Sequence, residues 1–419
     1  MTDFSMIDGE LHVESLPLAR IAAEVGTPVY VYSTERFQAN ARAFRDALKP
    51  LGRIHLAFAI KANPNLAVLK LLANEGFGAD VVSGGEMARA LAAGVAPKDI
   101  VFSGVGKTRR ELVKGLEAGI GQFNLELVEE GEVLAALAAE RGLTARAALR
   151  VNPDVDAGTH EKISTGKAEN KFGLPIGEAP AIFDRLGKLP GLDLHGIAVH
   201  IGSQLLGLAP LEAAFERVGR LLAELRGNGH TITHVDLGGG LGVAYRPGEV
   251  PPTPEAYAEM VARVTKDWDV ELMFEPGRTI AGSAGVLVTE VLWVKPGQVH
   301  PWVVVDAAMN DLARVALYDA YHGFAAVKPN GERFVANVAG PVCESTDVFV
   351  KAREIDAVKS GDLAVLETAG AYGATMASTY NSRPLVPEVL VSGDRYAIVA
   401  GRISAEEIMA AEQVPDWLK

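Results

Sequence analysis

Short apolar runs alternate with helix-length segments along most of the chain. Between the runs lie stretches rich in Ala, Leu and Glu, such as 127–141 and 211–227, in which apolar residues recur at helical spacing. The runs have strand length and occupy residues 53–60, 79–82, 100–103, 122–125, 146–151, 195–200, 231–236 and 271–275. Eight β/α units in roughly 220 residues predict a (β/α)8 barrel of the TIM type, with a doubly wound open sheet as the alternative.

The pattern changes after residue 278. The runs at 286–294, 302–305 and 334–338 are separated by turn residues, with little helical pattern between them, which predicts a mostly β C-terminal domain. A further apolar run at 28–32 is one strand more than the barrel needs and is expected to join that domain. We therefore predict a barrel over 35–280 and a β domain built from 1–34 and 281–419. The stretch 152–173 is long for a barrel connection, which is typical of a lid or binding loop.

Composition and charge exclude several classes of protein. The chain has 419 residues and a net charge of −13, with no basic stripe that could follow a phosphate backbone, so nucleic acid is not an expected partner. No basic segment followed by an apolar run opens the chain, and no long uncharged apolar stretch occurs, which predicts a soluble cytoplasmic protein without membrane contact. One cysteine, Cys343, can form neither an internal disulfide nor a thiolate metal cluster, and no metal site is expected.

Polar residues at the ends of the predicted strands are the candidates for chemistry, because the active sites of barrels lie at the carboxyl ends of their strands. Lys61 follows the first run directly; it is either a lysine that extends to solvent or a partly desolvated amine suited to forming a Schiff base. Gly238–Gly240 follow the seventh run and precede an expected helix, which fits either a simple turn or a phosphate site.

Two more strand ends carry charged or polar groups. Glu275 and Arg278 end the eighth run and could form only an internal ion pair, and His200 at the end of the sixth could be a core histidine. However, Ser203, the three glycines and Arg278 would all meet at the barrel mouth as anion ligands, facing the amine of Lys61. A phosphorylated aldehyde accounts for both halves of this arrangement, and the sequence therefore predicts pyridoxal 5′-phosphate as cofactor.

Five motifs occur in the barrel, namely AIKAN at 59–63, DVVSGGE at 80–86, HIGSQ at 200–204, GGG at 238–240 and EPGR at 275–278. Together they resemble those of a known family, the fold-type III pyridoxal-phosphate decarboxylases, whose fold is of the alanine racemase and ornithine decarboxylase type. The motifs MNDLARVALY at 309–318, GPVCESTD at 340–347 and GAYG at 370–373 resemble the diaminopimelate decarboxylases within that family. The resemblance covers nearly the whole chain in order.

The resemblance implies a role for each matching residue of the barrel. Lys61 would bond covalently to the cofactor, His200 would stack on its ring, and Glu275 would face its pyridine nitrogen. A carboxylate there keeps that nitrogen protonated, which favours decarboxylation over racemisation. The implied phosphate ligands are Ser203, Gly238, Gly239, Gly240, Pro276, Gly277 and Arg278, while Asp80 and Glu86 would support the lysine or ring side.

The resemblance also implies residues from the β domain. Cys343 would be an acid that protonates the reacting carbon, donated across the interface of a homodimer with shared active sites; otherwise it is a small buried residue. Tyr372 would reach the phosphate or the substrate. The charges at the distal end of the substrate point to further residues. Arg278 and Arg314 would bind its carboxylate, and Glu344 would bind its ammonium. Tyr318 would share a helix face with Arg314.

Three functions are compatible with these residues. The first is decarboxylation of meso-2,6-diaminopimelate to L-lysine, the last step of lysine biosynthesis. The second is decarboxylation of ornithine, arginine or carboxynorspermidine. The third is a non-catalytic homologue that only binds pyridoxal phosphate, which the combination of Lys61, Glu275 and Cys343 disfavours.

Overall fold

The computed structural model describes residues 4–156 and 171–418 and divides the chain into two compact units. The barrel unit comprises residues 38–244 and 250–280, and the β unit comprises the segment ending at Phe37, the segment Tyr245–Glu249 and the segment from Ala281 onward. Among the described residues, no helix combines the length and the apolar character needed to cross a membrane.

The strands of the described chain are short and mostly buried. They are β1 (Phe4–Ile7), β2 (Glu10–Val13), β3 (Leu16–Pro17), β4 (Val29–Ser33), β5 (Ile54–Ala59), β6 (Gly78–Val81), β7 (Ile100–Phe102), β8 (Gln122–Leu125), β9 (Ala145–Asn152), β10 (Leu174–Pro175), β11 (Leu192–Ala198), β12 (His234–Asp236), β13 (Glu271–Phe274), β14 (Gly285–Lys295), β15 (Trp302–Val305), β16 (Phe324–Ala326), β17 (Arg333–Ala339), β18 (Val348–Asp356), β19 (Leu363–Leu366), β20 (Glu388–Ser392) and β21 (Arg395–Ala400).

The α-helices lie mainly between the strands of the barrel unit. They are α1 (Leu18–Val25), α2 (Thr34–Leu48), α3 (Leu66–Asn74), α4 (Gly84–Ala92), α5 (Arg109–Ala118), α6 (Val128–Ala139), α7 (Ala179–Leu186), α8 (Ala209–Gly227), α9 (Pro254–Thr265), α10 (Arg278–Ala281), α11 (Arg314–Tyr318) and α12 (Ala405–Met409).

The barrel closes through eight parallel strands. Their order is β5, β6, β7, β8, β9, β11, β12, β13 and back to β5. The two-residue strand β10 pairs with the carboxyl end of β9. The predicted barrel is confirmed and the open sheet is excluded. All eight strands run in one direction, so their carboxyl ends meet at one mouth, which is where polar side chains follow the apolar runs.

Apolar packing fixes the helices on the barrel. Phe44 of α2 stacks on Tyr257 of α9, with ring centroids 6.2 Å apart, and both rings meet Phe274 of β13 edge-on. The predicted lid at 152–173 falls largely on residues 157–170, which lie outside the described residues.

The β unit is a mostly antiparallel sheet, which confirms the predicted second domain. Its strands follow the order β18, β17, β15, β14, β4, β20, β21, and β19 pairs with both β14 and β16. The N-terminal strand β4 is antiparallel to β14 and parallel to β20. Its inward valines Val29 and Val31 pack in a core with Val286, Val365 and Val389. Burial of these β-branched side chains holds the two ends of the chain in one sheet.

Candidate active site

Lys61 lies at the barrel mouth, in a short 3-10 turn, Ile60–Ala62, that follows β5. Its Nζ is 3.1 Å from Oδ2 of Asp80, whose side chain is fully buried on the neighbouring strand β6. The lysine side chain itself is 39% exposed. The second carboxylate oxygen of Asp80, Oδ1, is buried and accepts no hydrogen bond from the described residues. The pair therefore presents a charged amine at the opening, held by an anion with an unsatisfied oxygen.

A cavity of 360 Å³ opens beside this lysine. Such a volume suits a small organic ligand. The strand ends and loops of the barrel line it, through Lys61, Val82, Ser103, Gly104, Val105, Gly106, Asn124, Arg150, Phe172, Ala198, Val199, His200, Asp236 and Glu275. The structure thus brings three of the predicted catalytic residues, Lys61, His200 and Glu275, to one cavity.

Glu275 belongs to a buried polar network. Ser103 Oγ donates to Glu275 Oε1 at 3.4 Å, and Asn124 Nδ2 donates to Ser103 Oγ at 3.0 Å and to Asp236 Oδ2 at 2.9 Å. Burial raises the pKa of Glu275 well above its ordinary value, and the nearby carboxylates of Asp236 and Asp80 raise it further. Burial also raises the pKa of Asp236, which hydrogen-bonds to Glu275. Both effects favour the protonated form of the Glu275 carboxyl group.

His200 lies in the same cavity as a neutral ring. Burial lowers its pKa well below the ordinary value, and the positive charges of Lys61 and Arg150 lower it further. The N–H of Gly239 donates to His200 Nδ1 at 3.2 Å. Because Nδ1 accepts, the proton of the neutral ring is on Nε2. An uncharged imidazole of fixed orientation is suited to lie against an aromatic ring.

The predicted anion ligands Ser203 and Arg278 come together although 75 residues separate them. The guanidinium of Arg278 donates to Ser203 Oγ from Nε at 3.3 Å and from Nη2 at 3.2 Å. Beside them, Pro276 and Gly277 follow β13, and the Pro276 carbonyl accepts from the backbone N–H of Ala59 at 3.0 Å. This end of the site offers a cation and a hydroxyl to an anion.

The three glycines lie close to neighbouring backbone. A Cβ at Gly239 would be 2.2 Å from the Glu275 carbonyl oxygen, and Gly240 has a φ of +129°. The N–H groups of Gly238 and Gly239 are already engaged with Asp236 Oδ1 and His200 Nδ1. Only glycine fits this approach.

The helix expected directly after the glycines was wrong. The chain instead continues in extended form, with a bridge between Leu241 and Leu205 and a hydrogen bond from the Gly242 N–H to the Leu205 carbonyl. The next helix, α9, begins only at Pro254. A phosphate site here would thus depend mainly on Ser203 and Arg278 rather than on the end of such a helix.

Glu86 lies in the first turn of α4, near the Lys61 and Asp80 pair. Its Oε2 accepts from the Val82 N–H at 2.7 Å. Burial raises the pKa of Glu86, the charge of Asp80 raises it further, and the charge of Lys61 lowers it. The Glu86 carboxyl group therefore interacts electrostatically with both members of the pair.

Several residues of the site were missed from the sequence. Arg150, near the end of β9, lines the cavity, stacks over Phe172 at 4.9 Å from the ring centroid and donates to Glu126 Oε1 at 2.7 Å. Glu126 also accepts from the N–H groups of Gly173 at 2.7 Å and Gly104 at 3.2 Å. The available signal was a polar residue inside an apolar run or at its end, which also marks Ser103, Asn124 and Asp236.

The remaining predicted residues belong to the β unit. Arg314 is buried at the start of α11 and Tyr318 ends that helix, so the two share a face as expected. Cys343 is exposed in the loop between β17 and β18, where its N–H donates to Asn381 Oδ1 at 3.0 Å, and the adjacent Glu344 accepts from the Tyr380 hydroxyl at 2.9 Å. Tyr372 occupies a turn with a φ of +57°. The roles of these five residues in binding or protonating the substrate therefore stay predictions.

Comparisons with known proteins agree on one family. Residues 35–282 match the model of the pyridoxal-dependent decarboxylase, pyridoxal binding domain. The chain is 52% identical to the diaminopimelate decarboxylase of Zymomonas mobilis over 421 residues, covering 100% of both chains. The crystal structure of diaminopimelate decarboxylase from M. jannaschii in complex with L-lysine matches with a TM-score of 0.95 and 38% identity, covering 99% of this chain and 98% of that one.

A second solved relative extends this agreement. The diaminopimelate decarboxylase of Helicobacter pylori, also complexed with L-lysine, matches with a TM-score of 0.90 and 37% identity over 94% of this chain and 98% of that one. The likeness in sequence and fold extends over both units. This chain therefore belongs to the diaminopimelate decarboxylases, within the family of pyridoxal-dependent decarboxylases.

Proposed function

We propose that this chain removes CO2 from the D-centre of meso-2,6-diaminopimelate to give L-lysine, with pyridoxal 5′-phosphate as its cofactor. The full-length identity to diaminopimelate decarboxylases supports this reaction, as do the two related structures with bound L-lysine. The observation that carries the proposal is one cavity lined by both the Lys61 amine and the buried Glu275 carboxyl group, whose pKa is raised.

The cavity suits pyridoxal phosphate in size, and the residues of the cavity and of the neighbouring strand ends suit it in chemistry. Lys61 supplies the amine for the aldehyde, Arg278 and Ser203 supply a cation and a hydroxyl for the phosphate, and the buried Oδ1 of Asp80 has acceptor capacity left for a donor. Bound there, the cofactor supplies a protonated pyridine ring, an electron sink that stabilises the carbanion left by departing CO2.

The residues of the barrel each have a defined task in this proposal. Glu275 holds a proton that it can give to the pyridine nitrogen, and Asn124 and Ser103 keep its carboxyl group in place. His200, neutral and oriented by Gly239, packs against one face of the ring. Gly238, Gly239, Gly240, Pro276 and Gly277 shape the phosphate end, and Asp80 and Glu86 hold the lysine side.

We propose further that the β unit, together with Arg278 of the barrel unit, supplies the residues that recognise the substrate. Diaminopimelate carries a carboxylate and an ammonium at its distal end, whereas ornithine carries only an ammonium. Arg314 and Arg278 would bind that carboxylate, Glu344 the ammonium, and Tyr318 and Tyr372 would contact the substrate or phosphate. Family resemblance supports a homodimer whose active sites are shared, with Cys343 donated by the second chain as the acid. The cytoplasmic location expected from the sequence stays a prediction.

The alternative functions are decarboxylations of other amino acids with the same cofactor. One solved relative is a lysine decarboxylase of Selenomonas ruminantium, at 26% identity, so related folds act on amino acids without a second carboxylate. Release of CO2 from meso-diaminopimelate, lysine, ornithine, arginine and carboxynorspermidine should be compared, with the visible spectrum recorded before and after each addition. We expect a yellow protein that turns over only meso-diaminopimelate at a high rate. Equal turnover of ornithine would reject the substrate, and a colourless, inactive protein would reject the enzyme.

A further inference from the structure

A buried histidine, His322, contacts the arginine that we propose as the ligand of the distal carboxylate. His322 lies between α11 and β16 and has no exposed surface. Its Nε2 is 2.9 Å from Nη1 of Arg314, and its Nδ1 is 2.7 Å from the carbonyl oxygen of Glu367. Both ring nitrogens therefore have a partner.

These two partners determine which nitrogen of the ring carries the proton. A guanidinium has only donors, so Nε2 must accept the hydrogen bond from Arg314. A carbonyl oxygen has only lone pairs, so Nδ1 must donate to Glu367. The ring of His322 is therefore neutral, with its proton on Nδ1, and one Arg314 N–H is directed at its Nε2.

The ring is held firmly enough to orient a neighbour. Arg353 Nη2 donates to the backbone oxygen of His322 at 2.7 Å. Tyr245 meets the His322 ring edge-on, with centroids 5.5 Å apart, and Arg314 Cζ lies 4.6 Å from the centroid of the same tyrosine. Arg314 is thus packed against one aromatic ring and hydrogen-bonded to another.

The chemistry of this support suits a residue that must bind an anion. An aspartate or glutamate at position 322 would form an ion pair with Arg314 and compete with a substrate carboxylate. Histidine in its neutral form fixes one edge of the guanidinium and leaves its positive charge uncompensated by that contact. A planar guanidinium held in one orientation is better matched to a carboxylate than a mobile one.

We propose that His322 is a positioning residue that orients the Arg314 guanidinium for the distal carboxylate of the substrate, and so sets specificity for diaminopimelate. The inference rests on the proposed function, because it assumes that Arg314 meets that carboxylate.

Two variants of His322 separate its two hydrogen bonds. In His322→Gln the amide oxygen can take the place of Nε2 and accept from Arg314. In His322→Asn the shorter amide can still donate to the Glu367 carbonyl but does not reach Arg314. We expect His322→Asn to raise KM for meso-diaminopimelate at least about tenfold, equivalent to about 1.4 kcal/mol, with kcat within about threefold, and His322→Gln to restore KM to within about threefold of wild type.

Ligand binding gives a readout that does not depend on turnover. Loss of CO2 from the D-centre leaves the L-carboxylate in place, so L-lysine retains the group that Arg314 would bind. The inhibition constant of L-lysine should therefore rise with KM in His322→Asn, while that of cadaverine, which has no carboxylate, should not change. His300→Asn, in the loop before β15, is the matched control and should behave as wild type.

A double-variant cycle decides whether the effect passes through Arg314. In an Arg314→Ala background, His322→Asn should raise KM by less than about twofold. If His322→Asn does not fold, Tyr245→Leu, which removes the other support of the guanidinium, should give the same KM and L-lysine pattern. Equal effects of Asn and Gln, a loss in kcat alone, or parallel weakening of L-lysine and cadaverine would overturn the proposal. Failure of the wild type to act on meso-diaminopimelate would instead reject the proposed function.

Discussion

Nζ of Lys61, in the turn that follows β5, lies 3.1 Å from Oδ2 of Asp80, in the adjacent parallel strand β6. A fully buried carboxylate next to a half-exposed amine holds the lysine head at the cavity while leaving it open to a ligand. This pairing makes Lys61 the candidate for covalent attachment of the cofactor.

Replacing Lys61 with alanine should abolish that attachment and leave the phosphate ligands intact. We expect activity to fall by at least about 100-fold, since the reacting amine is lost. Borohydride reduction followed by peptide mass spectrometry should label Lys61 in the wild type and nothing in the variant. Lys188→Ala, at an exposed position, is the control. A label on another lysine in the wild type would refute the role.

Glu275→Gln should reduce the pH dependence of the free energy of unfolding. Because the folded pKa of Glu275 is raised, the folded, cofactor-free protein keeps a proton that the unfolded chain releases, so stability is full below the ordinary pKa and is lost as pH rises toward the folded pKa. Glutamine is neutral throughout and removes Glu275's part of this loss. Urea unfolding of cofactor-free protein at about pH 5 and pH 8 should therefore show a smaller decrease in the variant.

The same Glu275→Gln variant should lose about 100-fold or more in kcat, because the proton for the pyridine nitrogen is gone. Glu259→Gln, at an exposed position of α9, is the matched control for both measurements. A variant with normal kcat would show that Glu275 does not serve the ring.

Glu126→Ala should destabilise the barrel by about 3 to 5 kcal/mol, since it leaves the buried guanidinium of Arg150 without its carboxylate. Urea denaturation measures the change. Glu129→Ala, on the exposed side of α6, should change stability by less than about 0.5 kcal/mol. Equal effects of the two substitutions would mean that the Arg150 and Glu126 pair contributes little.

Arg314→Ala should weaken binding of meso-diaminopimelate through loss of a charge-assisted contact, on the order of 2 to 5 kcal/mol if the contact is desolvated. Steady-state KM and L-lysine inhibition measure it, with the exposed Lys351→Ala as control. Unchanged values for both ligands would exclude Arg314 from the distal carboxylate.

Two inactive variants should complement each other if the active site is shared between chains. Lys61→Ala and Cys343→Ala chains, unfolded together and refolded in equal amounts, give about half heterodimers, each with one intact site, so about a quarter of wild-type activity should return. Tagged co-purification verifies that heterodimers form. No recovery despite heterodimers would place Cys343 on the same chain as its lysine, or outside the reaction.

The parts of the site that follow directly from local sequence could be predicted. Lys61 and Glu275 each end an apolar run, and a barrel brings such ends to one mouth, so their meeting in one cavity needed only the fold class. The mostly β character of the second unit could also be predicted, because valine-rich runs separated by turn residues indicate strands even when their pairing partners are unknown.

Other features depend on contacts that no local pattern contains. Asn124 reaches Asp236 across 112 residues, and only closure of the barrel brings them together. The helix expected after Gly240 failed for a similar reason, because pairing with Leu205 keeps the chain extended there. His322 lies in a short segment without periodicity, and its proposed role can be inferred only from its contact with Arg314 in the folded chain.

The position of β4 inside its sheet has a consequence for synthesis on the ribosome. Val31 pairs with Val286 of β14 on one side and with Val389 of β20 on the other, so this early strand has no partner until β14 has been translated and lacks its second partner until nearly all of the chain has been made. At about 5 to 20 residues per second, the wait lasts tens of seconds. During that time, both edges of an apolar strand are open to pairing with other nascent chains. Premature termination anywhere before β20 would leave one of those edges permanently uncovered.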